Sequence, residues 1–225
     1  MKEENNITAQ TKQPENKSNS GRVVSYVPFY EDGDIVLYNN DFLNIIDSLP
    51  PVNLIICDPP YMEGITNYFD KIKSKLKQNG SLLWFTQPTE LYDLPEKPLQ
   101  VLVWTEPPSP KPIHKKYREF LDFIAWYGYG NYTFNKQLWN LMNSRFDDIV
   151  IRDVRLHKWE KPETLIEKLI LVHTNTGDTI LDPFSGSGTV LTIAKKLGRK
   201  AVGIEISTDE CKNIIKRINP NSNAK

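Results

Sequence analysis

Seven short apolar runs, separated by stretches with helical period, constrain this chain more than any other feature. They are Asp34 to Tyr38, Val52 to Cys57, Ser81 to Phe85, Gln100 to Thr105, Leu121 to Tyr127, Thr179 to Leu181 and Lys200 to Ile204. Several are continuously apolar rather than alternating, as strands covered on both faces require. Strands alternating with helices predict an α/β fold, a doubly wound and mostly parallel sheet. Two late helices are explicit. Pro162 suits a first helical position and is followed by the stripe Leu165, Ile166, Leu169, Ile170. Ser207 and Glu210 read as a capping box ahead of Cys211, Ile214, Ile215 and Ile218.

Composition narrows the class further. Of 225 residues, 39% are apolar and 25% charged, enough for one sizeable domain with an ordinary soluble surface. No apolar run approaches the ~18–20 residues of a membrane span, and the first residues lack a signal peptide's hydrophobic segment. Residues 1–20 are polar and rich in Asn, Gln, Lys and Glu, predicting a disordered tail, with a second at 219–225 and one domain over 21–218. Two cysteines exclude a disulfide framework, and with three scattered histidines they exclude a zinc cluster, so no metal is expected. Cys57 falls in a strand and Cys211 in a helix, where packing is their expected role. A net charge of +0 excludes a uniformly basic coat but leaves room for a local basic face. The expected compartment is a reducing cytoplasm.

Two strands end in unusual sequences, and in a doubly wound sheet ligands bind outside strand carboxyl ends. One strand runs into Asp58-Pro59-Pro60-Tyr61. The other runs into Asp182-Pro183-Phe184-Ser185-Gly186-Ser187-Gly188-Thr189. Gly186 and Gly188 remove side chains where the backbone turns sharply into a helix and approaches a ligand. The segment is neither a Walker A loop nor a clean GxGxxG. Asp182 at a strand tip suits a cationic ligand better than a pyrophosphate. The next strand ends in Glu205, whose carboxylate can accept both hydrogen bonds of a ribose diol. A glycine-rich helix start with an exposed Glu is the alternative reading. In the first segment, Asp58 and the Pro59 carbonyl can each accept a hydrogen bond from an amine. The two prolines stiffen the turn, and Tyr61 offers a flat face for a base. A stiff Pro-Pro turn with Tyr61 packed over it is the alternative there. Together the four residues describe a pocket for a planar ring bearing an exocyclic NH2.

With these motifs in this order, the chain resembles the S-adenosylmethionine-dependent DNA amino-methyltransferases, in the circularly permuted, beta-class-like arrangement and of adenine-N6 type. The likeness runs from about Asp34 to Ile218 and includes Leu37 to Asp41, Asp58 to Tyr61, a helix–strand unit over Leu76 to Phe85, Trp104 with Pro107, the strand Arg118 to Trp126, Trp159 to Pro162, the glycine loop and Glu205. The resemblance implies a Rossmann-like sheet of seven strands with one antiparallel. It implies that Asp182, Phe184, Gly186 and Gly188, with Ser185, Ser187 and Thr189 in the same loop, bind the cofactor's methionine part. Glu205 would hold its ribose, Asp41 would lie near its adenine, and Lys161 and Pro162 would close over the methionine end. Asp58 in first position goes with adenine N6, where cytosine-N4 enzymes more often carry Ser.

The implied chemistry addresses a poor nucleophile. The exocyclic nitrogen's lone pair is delocalised into the ring. Hydrogen bonds to Asp58 and the Pro59 carbonyl would draw it toward a tetrahedral shape and free the lone pair for methylation. The base would be flipped from duplex DNA onto Tyr61, and no Pro-Cys nucleophile of the cytosine carbon-5 kind is present. Lys111, Lys115, Lys116 and Arg118, and a second stretch with Arg152 and Arg155, are candidate phosphate contacts, with a merely solvated surface as the alternative. A short insert over 128–156, with Tyr129, Tyr132, Phe134, Trp139 and Asn143, could read the target sequence or form a small satellite core. A homodimer or specificity partner would then supply what a short insert lacks. The enzyme would work in the cytoplasm of a bacterium or, if phage-encoded, of its host. The competing readings are cytosine-N4 methylation, methylation of a protein glutamine, and a non-catalytic regulator binding cofactor or DNA.

Overall fold

The computed structural model describes residues 26–60, 64–105, 121–141, 145–146 and 160–220. In chain order the strands and α-helices are β1 (Tyr30–Glu31), β2 (Ile35–Asn39), α1 (Phe42–Ile45), β3 (Val52–Cys57), α2 (Phe69–Lys73), β4 (Leu76–Thr86), β5 (Gln100–Thr105), β6 (Leu121–Gly128), β7 (Arg145–Phe146), α3 (Glu163–His173), β8 (Thr179–Asp182), α4 (Thr189–Lys196), β9 (Lys200–Glu205) and α5 (Thr208–Ile218). They form one sheet in the order β1-β2-β9-β8-β3-β4-β6-β5-β7.

All seven apolar runs are strands, and among these seven only β6 is antiparallel to its neighbours β4 and β5. The described sheet nevertheless has nine strands rather than seven. The additional two, β1 and β7, are two-residue edge strands, too short to carry a period of two. The predicted helix–strand unit over Leu76 to Phe85 is instead a single strand preceded by α2. Six residues of β4 (Leu76 to Ser81) lie opposite three of β3 (Val52 to Leu54), so the polar stretch Lys77 to Gly80 is a bulge in the register.

Alternation along the strands sorts side chains to the two faces. Leu54, Ile56, Leu83, Phe85, Trp104, Ile124 and Ile180 pack against α3, α4 and α5. Ile55, Cys57, Trp84, Ala125, Leu181 and Ile204 face α1 and α2. Both cysteines are free and buried. His173, enclosed by Trp126 and Phe134, has its pKa pushed down to about 3 by burial and is neutral. Tyr132 and Phe134 pack on Trp126, the latter stacked at 5.1 Å. Tyr129 donates to Glu96 at 2.9 Å. Those three aromatics of the 128–156 insert are therefore packing groups. Asn143 lies outside the described residues.

Two helix starts differ from expectation by a small shift in roles. Pro162 is the N-cap of α3, not its first residue, with φ −56° and ψ 137°. Ser207 caps α5 by accepting from the Glu210 N–H at 3.3 Å. The return bond of the box comes from Glu205, which accepts the Ser207 N–H at 2.8 Å. Asn219, expected in the tail, donates to the Tyr30 hydroxyl at 2.9 Å and to the Ile215 carbonyl.

Gly203 shows how tightly β9 meets its cover. A Cβ there would sit 2.6 Å from Leu191 Cδ2 and 2.6 Å from Ser185 Oγ. Gly203→Ala is expected to cost about 1–3 kcal/mol by overpacking, a fall in Tm of several degrees. An unchanged Tm on thermal denaturation would contradict this packing.

Candidate active site

Sequence neighbours run outward in both directions from the β8–β3 pair, so strand order reverses there and opens a crevice at the carboxyl edge. Three consecutive strands deliver a carboxylate to it: β9 ends in Glu205, β8 ends in Asp182, and Asp58 follows β3. Asn39 ends β2 opposite Glu205, and Asp41 follows two residues later.

Asp182 is buried, and the Phe184 N–H donates to its Oδ1 at 3.2 Å. Its pKa is pushed up to about 8, chiefly by burial; the Phe184 N–H opposes this, while the charges of Asp58 and Glu205 add to it. A carboxyl so placed is poised to ionise against a cation.

Glu205 is anchored by backbone. Its Oε2 accepts the Gly186 N–H at 2.9 Å and its Oε1 the Ser207 N–H at 2.8 Å, which leaves each oxygen further acceptor capacity. Asn39 Nδ2 donates to the carbonyls of Glu205 and Ile206, both at 3.0 Å. Ile206 is 72% exposed, an apolar surface directly beside the carboxylate. Asp41 caps α1 through Leu43 N–H at 2.9 Å, and the Asn40 N–H donates to the Glu205 carbonyl at 3.1 Å.

The glycine loop holds itself. The Ser185 N–H donates to Ile204 O at 2.9 Å, its Oγ to Asp182 O at 3.2 Å, and the Gly188 N–H returns to Ser185 O at 2.7 Å. Ser187 and Thr189 hydroxyls lie 3.0 Å apart, and Thr189 Oγ1 donates to Glu160 Oε1 at 3.3 Å. Phe184 packs on Phe42, centroids 4.8 Å apart. Gly186 and Gly188 have φ of +47° and +74°. Around Gly186 a Cβ would meet nothing closer than 3.9 Å, so its backbone is open to a ligand. At Gly188 a Cβ would lie 2.7 Å from Ile214.

Lys161 precedes the N-cap of α3 and reaches the end of β3. Its Nζ lies 2.9 Å from Asp58 Oδ2 and 3.8 Å from Asp122 Oδ2, over the rings of Phe85 and Trp104 at 5.2 Å and 5.8 Å. Pro162 opens α3 immediately after it. Three residues that sequence reasoning missed complete the edge. Asp122 is the one charged residue inside an otherwise apolar run, a signal in itself. Arg217 on α5 joins Glu160 Oε1 at 2.5 Å, Glu163 Oε1 at 2.8 Å and the Ser187 carbonyl at 3.2 Å. Glu160 is the third, buried beneath the loop. Of the other expected residues, Pro59 is buried and Pro60 exposed. Tyr61, Lys111, Lys115, Lys116, Arg118, Arg152 and Arg155 lie outside the described residues.

Chemically, this edge offers fixed carboxylates to a cationic ligand with a diol, next to a rigid acceptor pair at Asp58-Pro59. Among the described residues no three His, Cys, Asp or Glu side chains gather as a metal centre requires. The model of a DNA methylase family matches residues 52–217, which takes in every one of these strand ends except β2. The chain belongs to this family. It is 26% identical to the Type II methyltransferase M2.DpnII of Streptococcus pneumoniae, over 90% of this chain and 96% of that protein. Over 28% of its length it is 44% identical to the DNA adenine methyltransferase YhdJ of Escherichia coli, covering 21% of that protein. Among solved structures, the M1.HpyAVI–SAM complex superposes with a TM-score of 0.72 at 27% identity, over 82% of this methylase and 99% of that chain.

Proposed function

We propose that this methylase transfers a methyl group from S-adenosylmethionine to N6 of an adenine turned out of duplex DNA. The observation that carries the reading is the placement of Glu205, Asp182 and Asp58 at three neighbouring strand ends, the last beside the rigid Pro59 carbonyl. The residues fit the cofactor. Asp182 and the open backbone at Gly186 suit its cationic methionine part, Glu205 its ribose diol, and the exposed Ile206 with Asp41 its adenine. When bound, it supplies an electrophilic methyl group on a sulfonium. The M1.HpyAVI structure is itself a complex with SAM. Asp58 and the Pro59 carbonyl accept the two hydrogens of the exocyclic amine, localise its lone pair and stabilise the positive charge it develops. Tyr61 supplies the stacking face, and the basic stretches with Lys111, Lys115, Lys116, Arg118, Arg152 and Arg155 take phosphates.

Adenine is favoured over cytosine by Asp58 in first position and by the likeness to an adenine enzyme. With Tyr129, Tyr132 and Phe134 committed to packing, target reading falls to the remainder of 128–156 or to a second subunit. Within this reading 21–218 acts as one catalytic domain, and the enzyme works in bacterial cytoplasm. Expression in a bacterium lacking its own DNA methylases tests it. Modified adenines within one short sequence are expected on sequencing the genomic DNA. Modified cytosines instead would move the chemistry to cytosine N4, and unmodified DNA would defeat the reading.

Asp182 makes the cofactor's affinity depend on pH. A carboxyl with a pKa near 8 is protonated at neutral pH, and a cationic ligand beside it favours the ionised form, so binding releases a proton. The Kd measured by calorimetry is expected to fall as pH rises from about 6 to 8, by up to about tenfold per unit. For the ligand-free protein the sign is opposite. A carboxyl raised from its ordinary value stabilises the fold at low pH, and that stability is lost as pH rises toward 8. A Kd flat over this interval would remove Asp182 from the cofactor site.

A further inference from the structure

The Lys161 ammonium sits on the acceptor that the base's amine needs. At 2.9 Å from Asp58 Oδ2 it forms a hydrogen-bonded ion pair, and its side chain is only 11% exposed. Such a charge opposes the reaction twice. It draws on Asp58 Oδ2 and so weakens the carboxylate as an acceptor for the amine, and it repels the positive charge that grows on the amine nitrogen as the methyl group arrives.

Asp122 offers a second seat. It lies at the start of β6, directly across from Trp104 on β5, so both project from the same face of the sheet. Its Oδ2 is 3.8 Å from Lys161 Nζ and its side chain 14% exposed. A movement of about 1 Å brings the ammonium into hydrogen-bonding distance of Asp122. The rings of Phe85 and Trp104 lie under the same ammonium and hold it within the site by cation–π attraction.

We propose that Asp122 is a positioning residue for methyl transfer: Lys161 occupies Asp58 while no base is bound, and Asp122 takes the ammonium over when the amine arrives. The proposal rests on the reading of Asp58 as the amine's acceptor. It assigns Lys161 to the base side of the site rather than to the methionine end of the cofactor. Asp122 acts through Lys161 and touches neither substrate.

The test is a double-mutant cycle on the full chain, with labelled S-adenosylmethionine and DNA that the unaltered enzyme methylates. Asp122→Asn leaves the ammonium locked on Asp58. Lys161→Met leaves two carboxylates close together without their shared cation. Each single variant is expected to lower kcat by at least about tenfold with the cofactor's Kd nearly unchanged. The double variant removes both faults and is expected to exceed either single variant in kcat. Wild-type kcat in Asp122→Asn, or losses that simply multiply in the double variant, would overturn the proposal. Melting temperatures establish that each variant is folded, and Asp122→Ser replaces Asp122→Asn if the latter is not. No methylation by the unaltered chain would overturn the functional reading and this proposal with it, whereas methylation indifferent to Asp122 overturns the proposal alone.

Discussion

Asp58→Asn is expected to lower kcat for methyl transfer by about 10²–10³-fold while the cofactor still binds. The side chain keeps its shape, but one acceptor oxygen becomes an NH2 group that opposes the incoming amine instead of receiving it. The negative charge that balances the developing cation is lost with it. Cofactor binding survives because Asp182, Glu205 and the glycine loop are held by their own backbone contacts, the Gly186 N–H on Glu205 and the Phe184 N–H on Asp182. Removing the Asp58 charge also withdraws one of the causes that hold Asp182 protonated, so affinity near neutral pH is expected to be retained or improved. Parallel calorimetry and label transfer read the two effects separately. A variant that methylates at the wild-type rate would exclude Asp58 as the amine's acceptor.

Arg217→Ala is expected to cost about 3 kcal/mol or more of stability, a fall in Tm of about 6–12 °C. Its guanidinium is 10% exposed and bridges Glu160, itself 8% exposed, to Glu163 and to the Ser187 carbonyl. Alanine removes the cation between two acids and leaves Glu160 as a buried charge without this partner. Glu160 also receives the Thr189 hydroxyl, so the disturbance passes directly into the glycine loop. Cofactor affinity is therefore expected to weaken along with the fold. Arg217→Met combined with Glu160→Gln takes both charges out of the interior and is expected to recover most of the stability. Losses that add in the double variant, or a Tm unmoved by Arg217→Ala, would contradict this account of the clamp.

The sheet was legible because its long strands are covered on both faces and so carry continuous apolar runs. Where that cover is partial the signal failed. Lys77 to Gly80 belong to a strand yet bulge from the register, and the edge strands are only two residues long. At the site, the positions of Asp58, Asp182 and Glu205 were readable because each ends a strand or directly follows one, and a strand end fixes where the chain delivers its side chain. The ion-pair partners of Lys161 and Arg217 were not. A long cation chooses its partner from whatever the fold brings near, and Asp58 lies more than a hundred residues before Lys161 in the chain. Glu205 carries a related lesson. It was read as a ligand group, and it is also the acceptor that completes the cap of α5 and ties down Gly186. Spacing alone assigned the cap's return bond to Glu210, because a capping box is recognised locally, whereas the group that makes the bond ends the preceding strand.

The measurement that tests the central claim most directly is the identity of the methylated nucleoside. Purified protein is incubated with labelled S-adenosylmethionine and unmethylated duplex DNA of mixed sequence, and the DNA is digested and its nucleosides separated. Label in N6-methyldeoxyadenosine, absent with Asp58→Ala, is the predicted result. Label elsewhere in the DNA, or none despite measurable cofactor binding, would contradict it.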